Sequence, residues 1–165
     1  MNAVVIAPYN ESLNAPALIR RVKDLHPDLM IVVVDDNSPD GTAEEVRKLE
    51  FPNVHVVLRR NARGYGTAVR DGLLFACRRE AQRVATMDAD FSHSPEELGE
   101  LFRALEEFDL TIGSRYIGGV RVLNWAARRL LLSLFANFYV RTILGLQARD
   151  CTSGYRAYRR ELLAR

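Results

Sequence analysis

Asp88-Ala89-Asp90 sets two carboxylates one residue apart, directly after the apolar run Arg83 to Met87. Carboxylates this close repel one another unless a cation lies between them. Hard divalent ions such as Mg2+ or Mn2+ take one or two carboxylates and fill their other positions with water and phosphate oxygens. The pair therefore points to a metal that bridges a diphosphate. A solvated acidic turn capping the next helix explains less, because Ser94 already stands at the cap position. A second acidic group, Asp35-Asp36-Asn37-Ser38, also follows an apolar run. An acid there can bond ribose hydroxyls or a base edge; it can equally form an Asx turn that starts the next helix.

Other residues carry weaker signals. Arg63-Gly64-Tyr65-Gly66-Thr67 is glycine-rich ahead of a helical pattern. It reads as a phosphate cradle or as close helix-to-loop packing, and it matches neither the dinucleotide nor the Walker pattern. Gly113-Ser114-Arg115-Tyr116 with Gly118-Gly119 is a flexible stretch bearing one arginine. His93 receives no role, Cys77 reads as helix core, and Cys151, beside Asp150 without a paired histidine, is a poor nucleophile.

The elements that must position these groups alternate. Ala3 to Ala7 and Met30 to Val34 read as buried strands, and Val54 to Leu58, Arg83 to Met87 and Leu110 to Ile112 as three more strands. Between them, Leu18, Ile19, Val22 and Leu25 recur at helical spacing and Pro27 stops that helix. Ser38-Pro39-Asp40-Gly41 is turn chemistry, and Thr42 opens a helix with Glu44 and Glu45 in its first turn. Thr67 to Arg79 is helical. Ser94, Pro95 and Glu97 predict a capping box on a helix running to about Glu107. This order predicts an α/β fold with a mostly parallel sheet covered on both faces. Ligands in such sheets bind beyond the carboxyl ends of the strands. The loops Pro8 to Glu11, Asp35 to Gly41, Asp88 to Ser94 and Gly113 to Gly119 are thus the ones to inspect.

At 165 residues, 48% hydrophobic and 27% charged, the chain has the size and composition of one globular domain. Two cysteines and no CxxC argue against a disulfide scaffold or structural zinc, and reduced cytosolic thiols are expected. Met1 to Ile6 lacks the features of a signal peptide, and none is expected. The charge is uneven. Residues 1–114 carry 13 basic and 19 acidic side chains, whereas 115–165 carry 10 basic and 2 acidic. Of the 23 basic residues 21 are arginine, which forks onto phosphate and carboxylate. The basic last third suggests phosphate groups, a polyanion or an anionic membrane surface; no nucleic-acid-binding motif is present. Asn124 to Leu144 reads as a helix that is apolar on nearly every face. Its core, Leu130 to Val140, would span about 16 Å, too short for a bilayer of roughly 30 Å. It suits a membrane interface, an apolar tail or a packing partner.

Five ordered motifs together resemble a known family. They are Pro8-Tyr9-Asn10-Glu11, Val34 to Thr42, Met87 to Glu96, Gly113 to Tyr116 and Ser153-Gly154-Tyr155-Arg156. The chain resembles family 2 glycosyltransferases of the glycosyltransferase-A (Rossmann-like) fold, and among them the dolichol-phosphate (polyprenol-phosphate) mannosyltransferases. The resemblance covers essentially the whole chain. It implies that Pro8, Tyr9 and Glu11 border the base and ribose of a nucleotide sugar, with Asp36 nearby. It implies that Asp88 contacts the donor and shares a Mg2+ or Mn2+ ion with Asp90. Ser92 stands where some relatives have a glutamine ligand and would ligate more weakly or through water. Arg115 and Arg129 would grip the acceptor phosphate beside Ser133, and with Asp88 and Asp90 they form the implied catalytic set. Asp150 and Arg156 belong to the last motif. Leu134-Phe135 replaces an Arg-Gly pair found in many relatives. Members usually continue beyond the last motif, so a C-terminally shortened chain is expected, with 1–114 holding the donor and 115–165 the acceptor.

The implied activity is transfer of mannose from GDP-mannose to a polyprenyl phosphate, with inversion, at the cytoplasmic membrane face. Peripheral membrane contact and a separate membrane subunit are the candidate partnerships. A lipid phosphate is already an anion and needs no general base, whereas a sugar hydroxyl acceptor would need one, with Asp150 or Glu161 as the late candidates. The alternatives are another donor such as UDP-glucose, a polysaccharide acceptor, or a domain that binds nucleotide sugar without transfer.

Overall fold

The computed structural model describes residues 1–114, 135, 138–143, 145 and 150–164. Its strands are β1 (Asn2–Ile6), β2 (Met30–Asp35), β3 (Val54–Leu58), β4 (Arg83–Met87), β5 (Leu110–Ile112) and β6 (Arg156–Arg159). Its helices are α1 (Asn14–Leu25), α2 (Thr42–Arg47), α3 (Tyr65–Arg78), α4 (Leu98–Ala104) and α5 (Arg160–Leu163), with a 3-10 turn at Pro95–Glu97. The described sheet runs β3-β2-β1-β4-β6-β5. β1 pairs in parallel with β2 and β4, and β2 with β3. β6 runs antiparallel to both β4 and β5.

β-Branched residues fill the central strands because alternate side chains must pack on both faces. Val4, Ile6, Ile31 and Val33 face one core with Leu18, Ile19 and Val22 of α1 and Leu98 and Phe102 of α4. Ala3, Val5, Val32 and Val34 face the other, with Ala68 and Ala76 of α3. α3 lies close to the sheet at Gly72, where an added Cβ would come 2.4 Å from Val5 Cγ1.

Three sequence expectations change. The strand expected at Ala3 to Ala7 begins and ends one residue earlier. The capping box does not form: Ser94 makes no side-chain cap bond and its hydroxyl donates to Glu96 Oε2 at 2.6 Å. Pro95–Glu97 instead make a 3-10 turn, and the α-helix begins at Leu98 and stops at Ala104. β6 was not expected at all, because Arg156-Ala157-Tyr158-Arg159 has neither an apolar run nor strong alternation. It exists through pairing on both edges. The expected helix Asn124 to Leu144 falls mostly outside the described residues; 135 and 138–143 are helical.

Register brings the strand ends level. Ile6 lies opposite both Val33 and Met87. The chain after β1 and the chain after β4 therefore leave the sheet side by side. β6 returns from the same end, with Arg156 opposite Thr86 and Ile112.

Candidate active site

A cavity of about 390 Å³ opens at this shared strand end. Pro8, Tyr9 and Glu11 come from the loop after β1, and Asp88 and Asp90 from the loop after β4. Tyr65, Thr152 and Gly154 complete its wall. A second hollow of about 330 Å³ adjoins it, lined by Pro8, Tyr9, Asp36, Arg63, Gly64 and Tyr65. Pro8, Tyr9 and Tyr65 line both. The Arg63 guanidinium lies 5.8 Å from the centre of the Tyr9 ring.

The loop after β2 braces the loop after β1. Ser38 Oγ accepts from the Asn10 N–H, Thr42 Oγ1 from Glu11 N–H and Asp40 Oδ2 from Ser12 N–H. Thr42 in turn donates its N–H and hydroxyl to Asp40 Oδ1. Asp35 is buried and held by the Ser38 N–H and hydroxyl. These are the local bonds of an Asx-type turn.

Asp36 is committed to protein as well. Arg59 forks onto it, Nε to Oδ1 at 2.6 Å and Nη2 to Oδ2 at 2.9 Å, and also reaches Asp71 Oδ2 at 2.9 Å. The Gly64 N–H adds a bond of 2.8 Å to Asp36 Oδ2. The hydrogen bond from Arg59 outweighs the cost of burial and holds the Asp36 carboxyl below its ordinary range. Asp36 thus borders the smaller hollow as an anchored ion pair. The glycine-rich loop resolves in the same way. Gly64, with φ 126°, gives its N–H to Asp36 and its carbonyl to Ala68 N–H and the Thr67 hydroxyl. These bonds hold Gly64 in place while Arg63, Gly64 and Tyr65 line the smaller hollow.

Asp88 and Asp90 are arranged differently. Asp88 Oδ1 accepts from the Tyr65 hydroxyl at 2.8 Å, and Asp90 Oδ1 from the Ser92 N–H at 3.0 Å. Burial opposes ionisation of Asp90, but the hydrogen bonds from Ser92 prevail and keep its carboxyl below the usual value. Phe91, directly after Asp90, has φ 59°, a left-handed conformation rare for an aromatic residue, where the loop turns away from the cavity wall that carries both acids. Among the described residues, no ion pair to arginine or lysine reaches Asp88 or Asp90. No cluster of three or more acidic, His or Cys groups able to hold a metal occurs there either. Two carboxylates on an open wall suit a hard cation that completes its shell with water and phosphate, not a closed structural site. Ser92 does not line the cavity. Asp150 is 1% exposed, accepts from the Thr152 N–H and hydroxyl, and likewise does not line it.

Arg115, Arg129 and Ser133 lie outside the described residues, as do Tyr116 and Gly118-Gly119. Sequence reading missed Tyr65, His93, Thr152 and Gly154 as members of the site. The glycine-rich loop around Tyr65 and the family motifs that contain His93 and Gly154 were the available signals. The cavity also crosses the boundary expected at residue 114, since Thr152 and Gly154 line it.

The profile of the family described as "Glycosyl transferase family 2" matches residues 3–165. A polyprenol monophosphomannose synthase of Mycolicibacterium smegmatis is 47% identical over 97% of this chain and 62% of its own length. A dolichol-phosphate mannosyltransferase of Saccharomyces cerevisiae is 34% identical over 93% of the chain and 58% of its own. The chain thus spans about three fifths of these curated relatives. Among solved structures, a Mycobacterium tuberculosis glucosyl-3-phosphoglycerate synthase with Mn2+, UDP-glucose and phosphoglyceric acid superposes with a TM-score of 0.69. The identity is 26%, over 98% of this chain and 57% of that one.

Proposed function

The chain belongs to glycosyltransferase family 2, and from that premise we propose that it transfers mannose from GDP-mannose to a polyprenyl phosphate with inversion. The observation that carries this reading is the pair Asp88 and Asp90 on one cavity wall, facing Pro8, Tyr9 and Glu11. The relatives named for mannosyl transfer to polyprenol, undecaprenyl and dolichyl phosphates support the sugar and the acceptor.

In this reading the hollow beside Tyr9 and Arg63 takes the nucleoside, and the diphosphate lies across the Asp88 and Asp90 wall. Those two carboxylates would hold Mg2+ or Mn2+, which when bound would supply Lewis acidity to neutralise charge building on the diphosphate leaving group. Ser92 keeps Asp90 oriented through its N–H. The acceptor phosphate oxygen attacks the anomeric carbon from the face opposite the diphosphate. One C–O bond forms as the other breaks, and the nucleoside diphosphate carries away the electron pair. The attacking oxygen is already anionic, so no proton has to move. Arg115 and Arg129, with Ser133, place the acceptor phosphate in line.

Residues 1–114 serve chiefly the donor and 115–165 chiefly the acceptor. No described helix is long and apolar enough to cross a membrane. Phe135, Phe138, Tyr139 and Ile143 are all more than half exposed, which fits peripheral contact with lipid at the cytoplasmic face. A separate membrane subunit would serve the same end.

The test is direct. GDP-mannose, a short polyprenyl phosphate and Mn2+ or Mg2+ are mixed with the protein, and lipid-linked mannose is followed. Product that disappears with EDTA is expected. Product from UDP-glucose and none from GDP-mannose would overturn the donor assignment, and EDTA-resistant product would overturn the metal.

A further inference from the structure

Asp88 leaves β4 where the parallel ladder ends, and its main chain and carboxylate are both taken up by two side chains that the reaction scheme leaves idle. Its N–H donates to His93 Nδ1 at 3.0 Å. A ring nitrogen that accepts carries no proton, so the neutral imidazole bears its proton on Nε2. That nitrogen lies 3.7 Å from Asp88 Oδ2. From the cavity side, the Tyr65 hydroxyl donates to Asp88 Oδ1 at 2.8 Å. One carboxylate oxygen is thus hydrogen-bonded by Tyr65, and the other lies beside the imidazole whose far nitrogen holds the Asp88 main chain.

The inner side is itself rigid. His93 is only 7% exposed and stacks on Tyr155, with ring centroids 4.8 Å apart and planes 8° from parallel. Tyr155 is buried, and its hydroxyl donates to the Ser94 carbonyl at 2.7 Å. Its ring occupies the space beside Gly113, where an added Cβ would approach Cδ1 to 2.6 Å. Gly154 marks the point where all three partners meet. A Cβ there would lie 3.0 Å from the Tyr65 hydroxyl and 3.6 Å from both Asp88 Oδ1 and His93 Cε1.

We propose that His93 and Tyr65 are positioning residues that pre-set the Asp88 carboxylate for a divalent cation and the diphosphate it carries. The proposal rests on the donor-site reading above. A ligand already held in one orientation loses little rotamer freedom on binding, and partners behind a metal ligand typically change metal affinity about 10–100-fold.

The experiment is a Mn2+ titration followed by the electron paramagnetic resonance of the free ion, with and without GDP, alongside thermal midpoints taken without metal. Tyr65→Phe removes only a hydroxyl from a half-exposed ring and should weaken Mn2+ binding about tenfold with an unchanged midpoint. His93→Phe keeps the stack and loses the acceptor; a loss of about 10–100-fold is expected. His93→Asn restores an acceptor for the Asp88 N–H and should recover part of that loss. A purely structural role would lower the midpoints and leave Mn2+ affinity intact. Wild-type affinity in Tyr65→Phe and His93→Phe, with binding lost in Asp90→Asn, would overturn the clamp and keep the metal site. Unchanged binding in Asp90→Asn would overturn the metal site and the clamp with it.

Discussion

The loops after β2 and β4 read alike, each closing a buried parallel strand with aspartates, yet they use those carboxylates in opposite ways. After β2, every acid ends on protein. Asp35 holds Ser38, Asp36 holds Arg59 and Gly64, and Asp40 holds Ser12 and Thr42. After β4, Asp88 and Asp90 each keep a place on the cavity wall, and no described arginine or lysine neutralises them. The difference lies in the neighbours. The chain after β3 delivers Arg59 to the carboxylates of the first loop, whereas Arg156, at the end of β6 beside β4, turns its guanidinium to the Ser153 and Cys151 carbonyls. Acid-rich loops at strand ends are therefore sorted by the cations the sheet order puts next to them. In the proposed function, one loop is scaffold for the donor site and the other supplies its chemistry.

The largest effect should come from the second loop. Asp90→Asn is expected to reduce transfer about a thousandfold, roughly 4 kcal/mol of barrier, in the lipid-linked mannose assay. Its folding stability should stay near wild type, because no buried ion pair is lost. The first loop should respond the other way. Arg59→Ala strips a buried partner from Asp36 and should cost about 3–5 kcal/mol in urea denaturation. Full stability in Arg59→Ala would end the contrast between the loops.

The same ion pair sets an acid limb. The folded Asp36 carboxyl titrates below its ordinary value, first because of the Arg59 hydrogen bond. Its stabilisation is therefore complete above the unfolded value and is lost as pH falls through the lower folded value. Urea midpoints should drop below about pH 4, and Asp36→Asn should flatten that drop. Thr42→Val removes a buried hydroxyl that accepts from Glu11 and donates to Asp40. A loss of about 1–3 kcal/mol is expected by the same denaturation measurement, with weaker GDP binding as the loop after β1 loosens. The smallest effect belongs to Arg21→Ala. Its pair with Glu96, just beyond the second loop, is half exposed on both sides, and the midpoint should not move.

Much of the frame was legible. The bounds of β3, β4 and β5 coincide with the runs read from the sequence. Pro8, Tyr9, Glu11, Asp88 and Asp90 could be placed together because strand ends in a parallel sheet collect their loops on one edge. The capping box failed because the Ser94 hydroxyl donates to the Glu96 carboxylate and does not accept from the Glu97 N–H, a local alternative that spacing alone does not rank. Asp36 could not be assigned from its own segment, because the cation that commits it lies 23 residues away, just past the end of β3.

Strand and helix order, the acid-rich strand ends and the motifs of the family were thus fixed by local pattern. Hydrophobic periodicity and turn chemistry act within a few residues and need no knowledge of the rest of the chain. Which acids face the cavity, and what holds them there, was decided only when β6 paired antiparallel beside β4. That pairing carries Gly154 and Tyr155 to Asp88 and His93 across more than sixty positions of sequence. Hydrogen bonds and ring stacking depend on distances of a few ångströms in space, and separation along the chain does not report those distances until the sheet has closed.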